Sequence, residues 1–229
     1  YEIYSQRLPL YPLHNKDGDI IFNTSHEVKE QEILRDTLKD GDSVLQLGGN
    51  IGASCITASK VTNLTTNHCV EPQSSLIPVL KRNINANNSN SEVIHGIVSE
   101  NCQNKKISSN DGDIGSFVKE SAKTDEKNQV LCHSLHNIKP KNGYTYLFMD
   151  CEGCAPDFIK EDGEELRKHP IHTILYEEDQ GSRTNPVDYT PVNNFMKQNN
   201  FKCEGNFHKV CKKQNSIIPK ILHKVLIND

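Results

Sequence analysis

The sequence predicts an α/β fold in which a mostly parallel sheet is covered by helices on both faces. Short apolar segments alternate with amphipathic helical segments over most of the 229 residues, a length that allows one sizeable core. Such alternation is typical of a parallel sheet. The last two extended segments are joined by a turn at Gly205-Asn206. This hairpin adds antiparallel strands at one edge and completes a seven-stranded sheet.

The individual elements follow from periodicity and turn residues. Asp17-Gly18-Asp19 predicts a turn between two short extended segments, and Thr24 with Glu27 fits a capping box before a helix that ends near Asp40-Gly41. The later elements are strand 43–47, helix 53–59, strand 68–70, helix 76–87, strands 93–98, 129–133 and 144–149, helix 155–168, strand 171–176, helix 191–199, and hairpin strands 201–204 and 208–212. Residues 99–128 are polar, and we expect a loop or lid there.

Composition and charge exclude several classes of function. The formal net charge is -4, and no long run of Lys or Arg provides the attraction that nucleic-acid binding needs. No apolar run is long enough to cross a bilayer, and no signal peptide is recognisable. We therefore expect no nucleic-acid partner, no membrane span and a cytoplasmic location. The chain opens at Tyr1, which favours a piece cut from a longer protein.

The eight cysteines and three glycosylation sequons carry weak signals. A chain of this size does not need disulfides, so most cysteines are expected to be reduced and buried. Cys151 and Cys154 form a C-x-x-C, but no second pair follows at zinc spacing. The sequons at Asn23, Asn63 and Asn87 are expected by chance in an Asn-rich chain.

Polar residues follow the predicted strands where each strand ends. They are Gly48-Gly49-Asn50-Ile51-Gly52, Glu71-Pro72, Ser99-Glu100, Asp150-Cys151-Glu152-Gly153 and Glu177-Glu178-Asp179. Ligands of open α/β sheets bind beyond the carboxyl ends of the strands. The sequence therefore predicts a ligand site at this edge.

The segment VLQLGGNIG, residues 44–52, predicts a buried strand followed by a glycine-rich turn. Its glycines let a ligand approach the backbone closely. The G-x-G-x-x-G that binds a pyrophosphate is absent, so a cofactor without phosphate fits better than NAD. Glu71 ends the next strand, where an acid accepts both ribose hydroxyls of a nucleoside. The alternative is a turn that only packs a helix against a strand.

The order of motifs resembles the FkbM-type methyltransferases, which are class I, S-adenosylmethionine-dependent O-methyltransferases that in many cases act on sugars. The motifs are VLQLGGNIG, VEP, LKRNINANN, VIHGIVSE, LHNI and LFMDCEG, between about residues 25 and 180. The resemblance implies a Rossmann-like class I methyltransferase fold with S-adenosyl-L-methionine as the cofactor. It places at the cofactor Gln46, Gly48, Gly49, Asn50, Gly52, Glu71, Pro72, Val98, Ser99 and Asp150.

The chain departs from the family pattern at three places, one of which is the second acid after D-x-E-G, replaced here near Pro156. Gln46 stands where the family usually has Asp, so a hydrogen bond near the cofactor amine depends on the amide oxygen. Leu135-His136-Asn137 replaces the family segment L-D-D, and both acids are lost. Asp150, Glu152 and Gly153 match the family's D-x-E-G.

Methyl transfer to a sugar hydroxyl requires a group that takes the proton, or a metal that lowers the hydroxyl pKa. The candidates are Asp150, Glu152, His136 and Glu178. Asp150 is expected to face cofactor and acceptor, while Glu152 braces the loop or binds acceptor. The same four side chains are a possible site for a divalent cation such as Mg²⁺. The alternative is that the acids are solvated residues that cap the helix at Ala155.

The tail IIPKILHK, residues 217–224, resembles the opening strand of glycosyltransferases that use sugar nucleotides. This predicts an N-terminal extension over 1–24, a methyltransferase domain over 25–214, and a linker or the start of a glycosyltransferase-like domain over 215–229. Multidomain glycan-building proteins of large DNA viruses resemble this arrangement, which would place the chain in the host cytoplasm.

The sequence therefore predicts an O-methyltransferase that acts on a sugar hydroxyl of a glycan. One alternative is a catalytically degenerate module that binds a glycan or a protein partner. A second is a small-molecule O-methyltransferase, but Trp is absent and Phe is scarce, so a flat aromatic acceptor has few stacking partners.

Overall fold

The computed structural model describes residues 8–101, 105–108, 117–120, 130–179 and 186–214. The strands are β1 (Pro12–His14), β2 (Ile20–Phe22), β3 (Ser43–Leu47), β4 (Thr66–Glu71), β5 (Glu92–His95), β6 (Ile97–Val98), β7 (Lys105–Ser108), β8 (Phe117–Glu120), β9 (Cys132–His133), β10 (Tyr146–Met149), β11 (Thr173–Glu177), β12 (Phe201–Glu204) and β13 (His208–Lys213). The helices are α1 (Val28–Thr37), α2 (Ala53–Val61), α3 (Ile77–Ala86), α4 (Leu135–Ile138), α5 (Ala155–Leu166) and α6 (Thr190–Gln198).

Seven strands form one sheet in the order β12-β13-β11-β10-β3-β4-β5. The five strands from β11 to β5 are parallel, and β13 runs antiparallel to both β11 and β12. This confirms the predicted parallel sheet with its closing hairpin. Because every parallel strand ends at the same edge, the residues after β3, β4, β10 and β11 come together there.

Helices cover both faces of the sheet and bury its central strands completely. All residues of β3 and β10 are buried, which explains why these segments are apolar without alternation. Leu147 and Met149 pack with α5 and α6, whereas Tyr146 and Phe148 pack on the opposite face with Leu34 of α1. Alternate residues of β10 therefore belong to different layers.

The N-terminal hairpin β1–β2 packs against α2 and α3. The Tyr11 hydroxyl donates to the carbonyl of Ala53 at 2.6 Å, the His14 N–H donates to Asn83 Oδ1 at 2.7 Å, and Leu13 is fully buried. These residues are part of the core of the folded unit, and the boundary predicted at residue 24 stays a prediction.

Two local predictions are wrong. The predicted capping box does not form, because α1 begins after Glu27, which has a left-handed backbone, and no side chain caps the helix. The predicted strand 93–98 is broken at Gly96, where φ is +136° and a Cβ would lie 2.4 Å from the carbonyl oxygen of Leu131. As a result β5 joins the large sheet while β6 pairs with β9.

The cysteines in the described ranges are oxidised, contrary to the expectation of reduced thiols. Disulfides join Cys55 with Cys69, Cys151 with Cys154, and Cys203 with Cys211. No free cysteine occurs in the described part of the chain. The sequence did not reveal these pairs because each depends on strand or turn geometry: Cys203 and Cys211, for example, lie opposite each other in the β12–β13 hairpin.

Part of the predicted lid is a strand pair, since β7 and β8 are antiparallel. Residues 102–104, 109–116 and 121–128 of the predicted lid and the tail over 215–229 lie outside the described residues. Within the described ranges, no helix combines the length and the apolar character needed to cross a bilayer.

The disulfide between α2 and β4 should contribute strongly to stability. Both sulfurs are fully buried, and the bond closes a loop with a sequence separation of 14, for which chain entropy predicts about 3 kcal/mol. The double change Cys55→Ala with Cys69→Ala should lower the free energy of unfolding in urea by about this amount. Cys203→Ala with Cys211→Ala, which opens a shorter loop, is the matched control and should cost less. An unchanged urea midpoint in the first variant would contradict the bond.

Candidate active site

A row of polar side chains crosses the carboxyl edge of the sheet on the α1 side. Phe148, Leu175 and Val210 lie next to one another in register and pack in the cluster beneath α1. Two residues further toward this edge, on the same face, stand Asp150, Glu177 and His208. Glu177 and His208 are direct cross-strand partners.

Hydrogen bonds connect this row to α1. The Asp150 and Glu177 carboxyl groups bond to each other, so one of them carries a proton. His208 Nε2 bonds to Glu30 Oε1 on α1. We call Glu30, Asp150, Glu177 and His208 the acid cluster. Its residues lie on α1, directly after β10, at the end of β11 and at the start of β13.

Burial and like charge raise the pKa values of Asp150 and Glu177. The pKa of Asp150 is raised well above its ordinary range, first by burial and then by the negative charges of Glu27 and Glu177. Burial also raises the pKa of Glu177. Two carboxyl groups that share one proton offer both a proton acceptor and a proton donor.

The glycine-rich turn is shaped by the backbone of the neighbouring strand. Gly48 has φ of +95°, and a Cβ there would lie 1.6 Å from the carbonyl oxygen of Asp150. The N–H groups of Gly48 and Gly49 both donate to the carbonyl of Val70, at 3.0 and 2.8 Å. The turn therefore connects the ends of β3, β4 and β10, and Gly48 has a packing role whether or not a ligand binds.

Asn50 lies between two acids and has one unused acceptor. Its N–H donates to Glu71 Oε2 at 2.8 Å, and its Nδ2 donates to Glu27 Oε1 at 3.1 Å. Its Oδ1 is buried without a hydrogen-bond partner. Buried polar atoms are nearly always paired, so an orphan acceptor at a predicted ligand loop indicates a missing donor.

Glu71 holds the turn from the end of β4. Its Oε1 accepts from the Gln73 N–H at 2.7 Å and its Oε2 from Asn50, and only 4% of the residue is exposed. Burial raises the pKa of Glu71, while these backbone donors oppose the shift. Each carboxylate oxygen still has acceptor capacity for a ligand hydroxyl. Pro72 follows at this corner.

The structure brings Gly48, Gly49, Asn50, Gly52, Glu71 and Asp150 to one rim. Gln46 lies in the layer below the turn, where it is fully buried and donates from Nε2 to Asn67 Oδ1 at 2.7 Å, while its Oε1 has no hydrogen-bond partner. Val98 is buried beside Ser99, whose hydroxyl bonds to the Asn101 carbonyl and to Glu161.

Of the other predicted catalytic residues, His136 lies far from Asp150 and Glu178 faces away from it. His136 is exposed and lies 3.5 Å from Glu165, near the end of α5 opposite Asp150, and α5 is about 18 Å long. Glu178 lies 3.6 Å from Lys209, and it comes directly after Glu177, the last residue of β11, so its side chain faces away from Asp150. Glu152 is exposed with φ of +55°.

Glu27, Glu30, Glu177 and His208 were missed as site residues. Strand periodicity was a usable signal for Glu177, since it shares a face with Leu175 just as Asp150 shares one with Phe148. Glu27 and Glu30 are three residues apart at the start of α1, so they share a helix face. No local pattern connects α1 or His208 with this edge.

One group in the described residues has the donor geometry of a metal site. One ligand atom each of Glu30, Glu177 and His208 lies within 4.8 Å of the other two. Two carboxylate oxygens and an imidazole nitrogen suit a divalent cation. The set differs from the predicted one, with which it shares no residue.

The fold is that of known methyltransferases. The chain is similar to the precorrin-6Y C5,15-methyltransferase of Geobacter metallireducens, with a TM-score of 0.50 and 10% identity over 80% of this chain and 87% of that chain. It is similar to the O-methyltransferase of Bacillus cereus in complex with SAH (TM-score 0.48, 11% identity, 82% of each chain). A third is TYW2 of M. jannaschii in complex with AdoMet (TM-score 0.46, 10% identity, 93% and 90%). No protein-family model and no curated protein matches the chain. The predicted Rossmann-like class I methyltransferase fold is confirmed.

Gly48 should tolerate no side chain. Gly48→Ala places a Cβ against the Asp150 carbonyl in a left-handed backbone, so we expect the free energy of unfolding to fall by more than about 2 kcal/mol. Gly41→Ala is the matched control, because φ there is +85° but no atom lies within 4 Å. Its cost should be only about 1 kcal/mol. Equal urea midpoints for the two variants would contradict the close approach.

Proposed function

We propose that this chain is an S-adenosyl-L-methionine-dependent O-methyltransferase that acts on a sugar hydroxyl of a glycan. The orphan acceptor of Asn50 carries the proposal, because it lies in a buried loop between Glu27 and Glu71 at the edge that also holds Asp150. The fold and the name of the Geobacter neighbour, a methyltransferase, support the same reaction class.

The residues present fit the cofactor. Asn50 Oδ1 needs a donor, which the ammonium group of the methionine part provides. Glu71 has acceptor capacity for the ribose hydroxyls. The nearby carboxyl groups of Glu27, Asp150 and Glu177 favour a cationic ligand. When bound, S-adenosylmethionine supplies a methyl group on a sulfonium.

The acid cluster provides the proton acceptor. The pair of Asp150 and Glu177 shares one proton, so its ionised carboxylate takes the proton of the acceptor hydroxyl. His208 and Glu30 hold this pair in a fixed place, since both extend from packed elements. A divalent cation such as Mg²⁺ at Glu30, Glu177 and His208 is the alternative way to lower the hydroxyl pKa.

An exposed aromatic side chain favours a sugar as the acceptor. Phe207 is 44% exposed and lies beside His208, with ring centroids 5.0 Å apart. Aromatic rings at the mouth of a site offer an apolar face to the C–H groups of a sugar ring. The fused glycosyltransferase predicted from the tail remains a prediction. The cysteines in the described part of the chain are oxidised, and this argues against the cytoplasmic location predicted from the sequence, because disulfides are rare in that compartment.

Cofactor binding should depend on Glu71. Glu71→Gln keeps the shape of the side chain but removes the charge, and we expect S-adenosylhomocysteine to bind about tenfold more weakly or worse. Isothermal titration calorimetry measures this, and Glu92→Gln, at an exposed position on β5, is the control. If the unchanged protein binds no S-adenosylhomocysteine, the degenerate binding module becomes the better hypothesis.

Turnover should depend on Glu177 and not on Glu178. Asp150→Asn and Glu177→Gln should each lower methyl transfer to oligosaccharides, followed by mass spectrometry, by about 100-fold or more. Glu178→Gln, the matched control, should retain activity. Because the pKa values of Asp150 and Glu177 are both raised and one of the two must be ionised to act as base, the rate should rise with pH as the pair loses the first of its two protons.

If a carboxylate is the base, methyl transfer needs no metal ion, and we expect EDTA to leave the activity unchanged. Loss of activity with EDTA and its return with Mg²⁺ would instead assign the role to a cation. Full activity of both Asp150→Asn and Glu177→Gln would remove the acid cluster from the mechanism.

A further inference from the structure

All cysteines in the described part of the chain are in disulfides, and three of the pairs lie in separate regions of the fold. One pair joins α2 to β4, one spans the turn after β10, and one crosses the β12–β13 hairpin. Cys132 is disulfide-bonded as well. Disulfides of this number persist in oxidising compartments, where a disulfide-exchange oxidant accepts two electrons and two protons for each bond.

Such compartments in many cells also attach oligosaccharides to Asn in N-x-Ser/Thr, so the three sequons become candidate glycosylation sites. At two of them the Asn side chain is buried in the folded protein. Asn23 is fully buried and its Nδ2 donates to the Pro9 carbonyl and to Gln31. Asn87 is 7% exposed and its Nδ2 donates to the carbonyls of Pro12 and Asn83. A bulky sugar on either amide would break these bonds.

Asn63 differs from both. It is exposed in the loop between α2 and β4, where its N–H donates to Asp40 Oδ1 and its carbonyl accepts from Gly41. Its side-chain amide makes no hydrogen bond to the described residues. The next residue, Leu64, is buried and anchors the loop, whereas Thr65 is exposed.

The position of Asn63 leaves the candidate active site open. Asn63 precedes the first residue of β4, whereas Glu71 is the last, and six residues of strand span about 20 Å. A glycan on Asn63 therefore extends from the edge of the sheet opposite the acid cluster.

We propose that this chain matures in an oxidising compartment and carries an N-linked glycan on Asn63. In the transfer step, Nδ2 of Asn63 forms a bond to the anomeric carbon of a lipid-pyrophosphate-linked oligosaccharide. The bond from that carbon to the pyrophosphate oxygen breaks, the lipid pyrophosphate leaves, and the amide proton goes to a base of the transferring enzyme. The inference does not depend on methyl transfer.

The first test uses the protein from its own cells. After denaturation, alkylation without reductant should leave the cysteines unlabelled, and peptide N-glycosidase in H₂¹⁸O should convert Asn63 to ¹⁸O-labelled aspartate. Cysteines that alkylate without reduction, or an unmodified Asn63 peptide, would overturn the proposal.

The second test secretes the full chain from eukaryotic cells and follows its mass before and after peptide N-glycosidase. Asn63→Gln and Thr65→Ala should abolish the mass loss. Thr65→Ser, which keeps the sequon, and Asn87→Gln, which removes a buried one, should retain it. A mass loss that survives Asn63→Gln would place the glycan elsewhere and refute the assignment.

Discussion

The close approach of Gly48 to the backbone of Asp150 is the contact on which the candidate site depends. It is possible only because residue 48 has no Cβ and adopts a left-handed backbone. It brings the glycine-rich turn and the end of β10 together, so the loop proposed for the cofactor and the acid proposed for the acceptor share one rim. The glycine-rich turn thus has the packing role considered from sequence, and this role is compatible with the proposed ligand binding because Asn50 keeps an unused acceptor.

Buried negative charge is the second feature of this rim. Glu27, Glu30, Asp150 and Glu177 converge there, and His208 is their ionisable basic partner within the acid cluster. Carboxyl groups in such surroundings share protons or attract a cation. Both a sulfonium cofactor and a divalent ion supply the positive charge that these carboxyl groups attract.

Two of the disulfides lie next to the candidate site. The bond between Cys151 and Cys154 encloses Glu152 and Gly153, which both have positive φ, so it stabilises a turn that directly follows Asp150. The bond between Cys55 and Cys69 ties the helix after the glycine-rich turn to β4, the strand that ends at Glu71. Oxidation therefore stabilises the same strand ends that carry the candidate site.

Most of the sheet was predictable from the sequence, because apolar runs such as 43–47 and 144–149 report burial on both faces and glycine with proline marks the turns. The order of motifs also located Asn50, Glu71 and Asp150 at one edge, since parallel strands end together. Strand periodicity also distinguishes Glu177 from Glu178, but only the tertiary structure decided that His136 lies elsewhere and that Glu30 and His208 join the cluster. Partners such as Glu30 and His208 are 178 residues apart, and side chains at that separation meet only through the packing of a helix on a sheet, which no local pattern records.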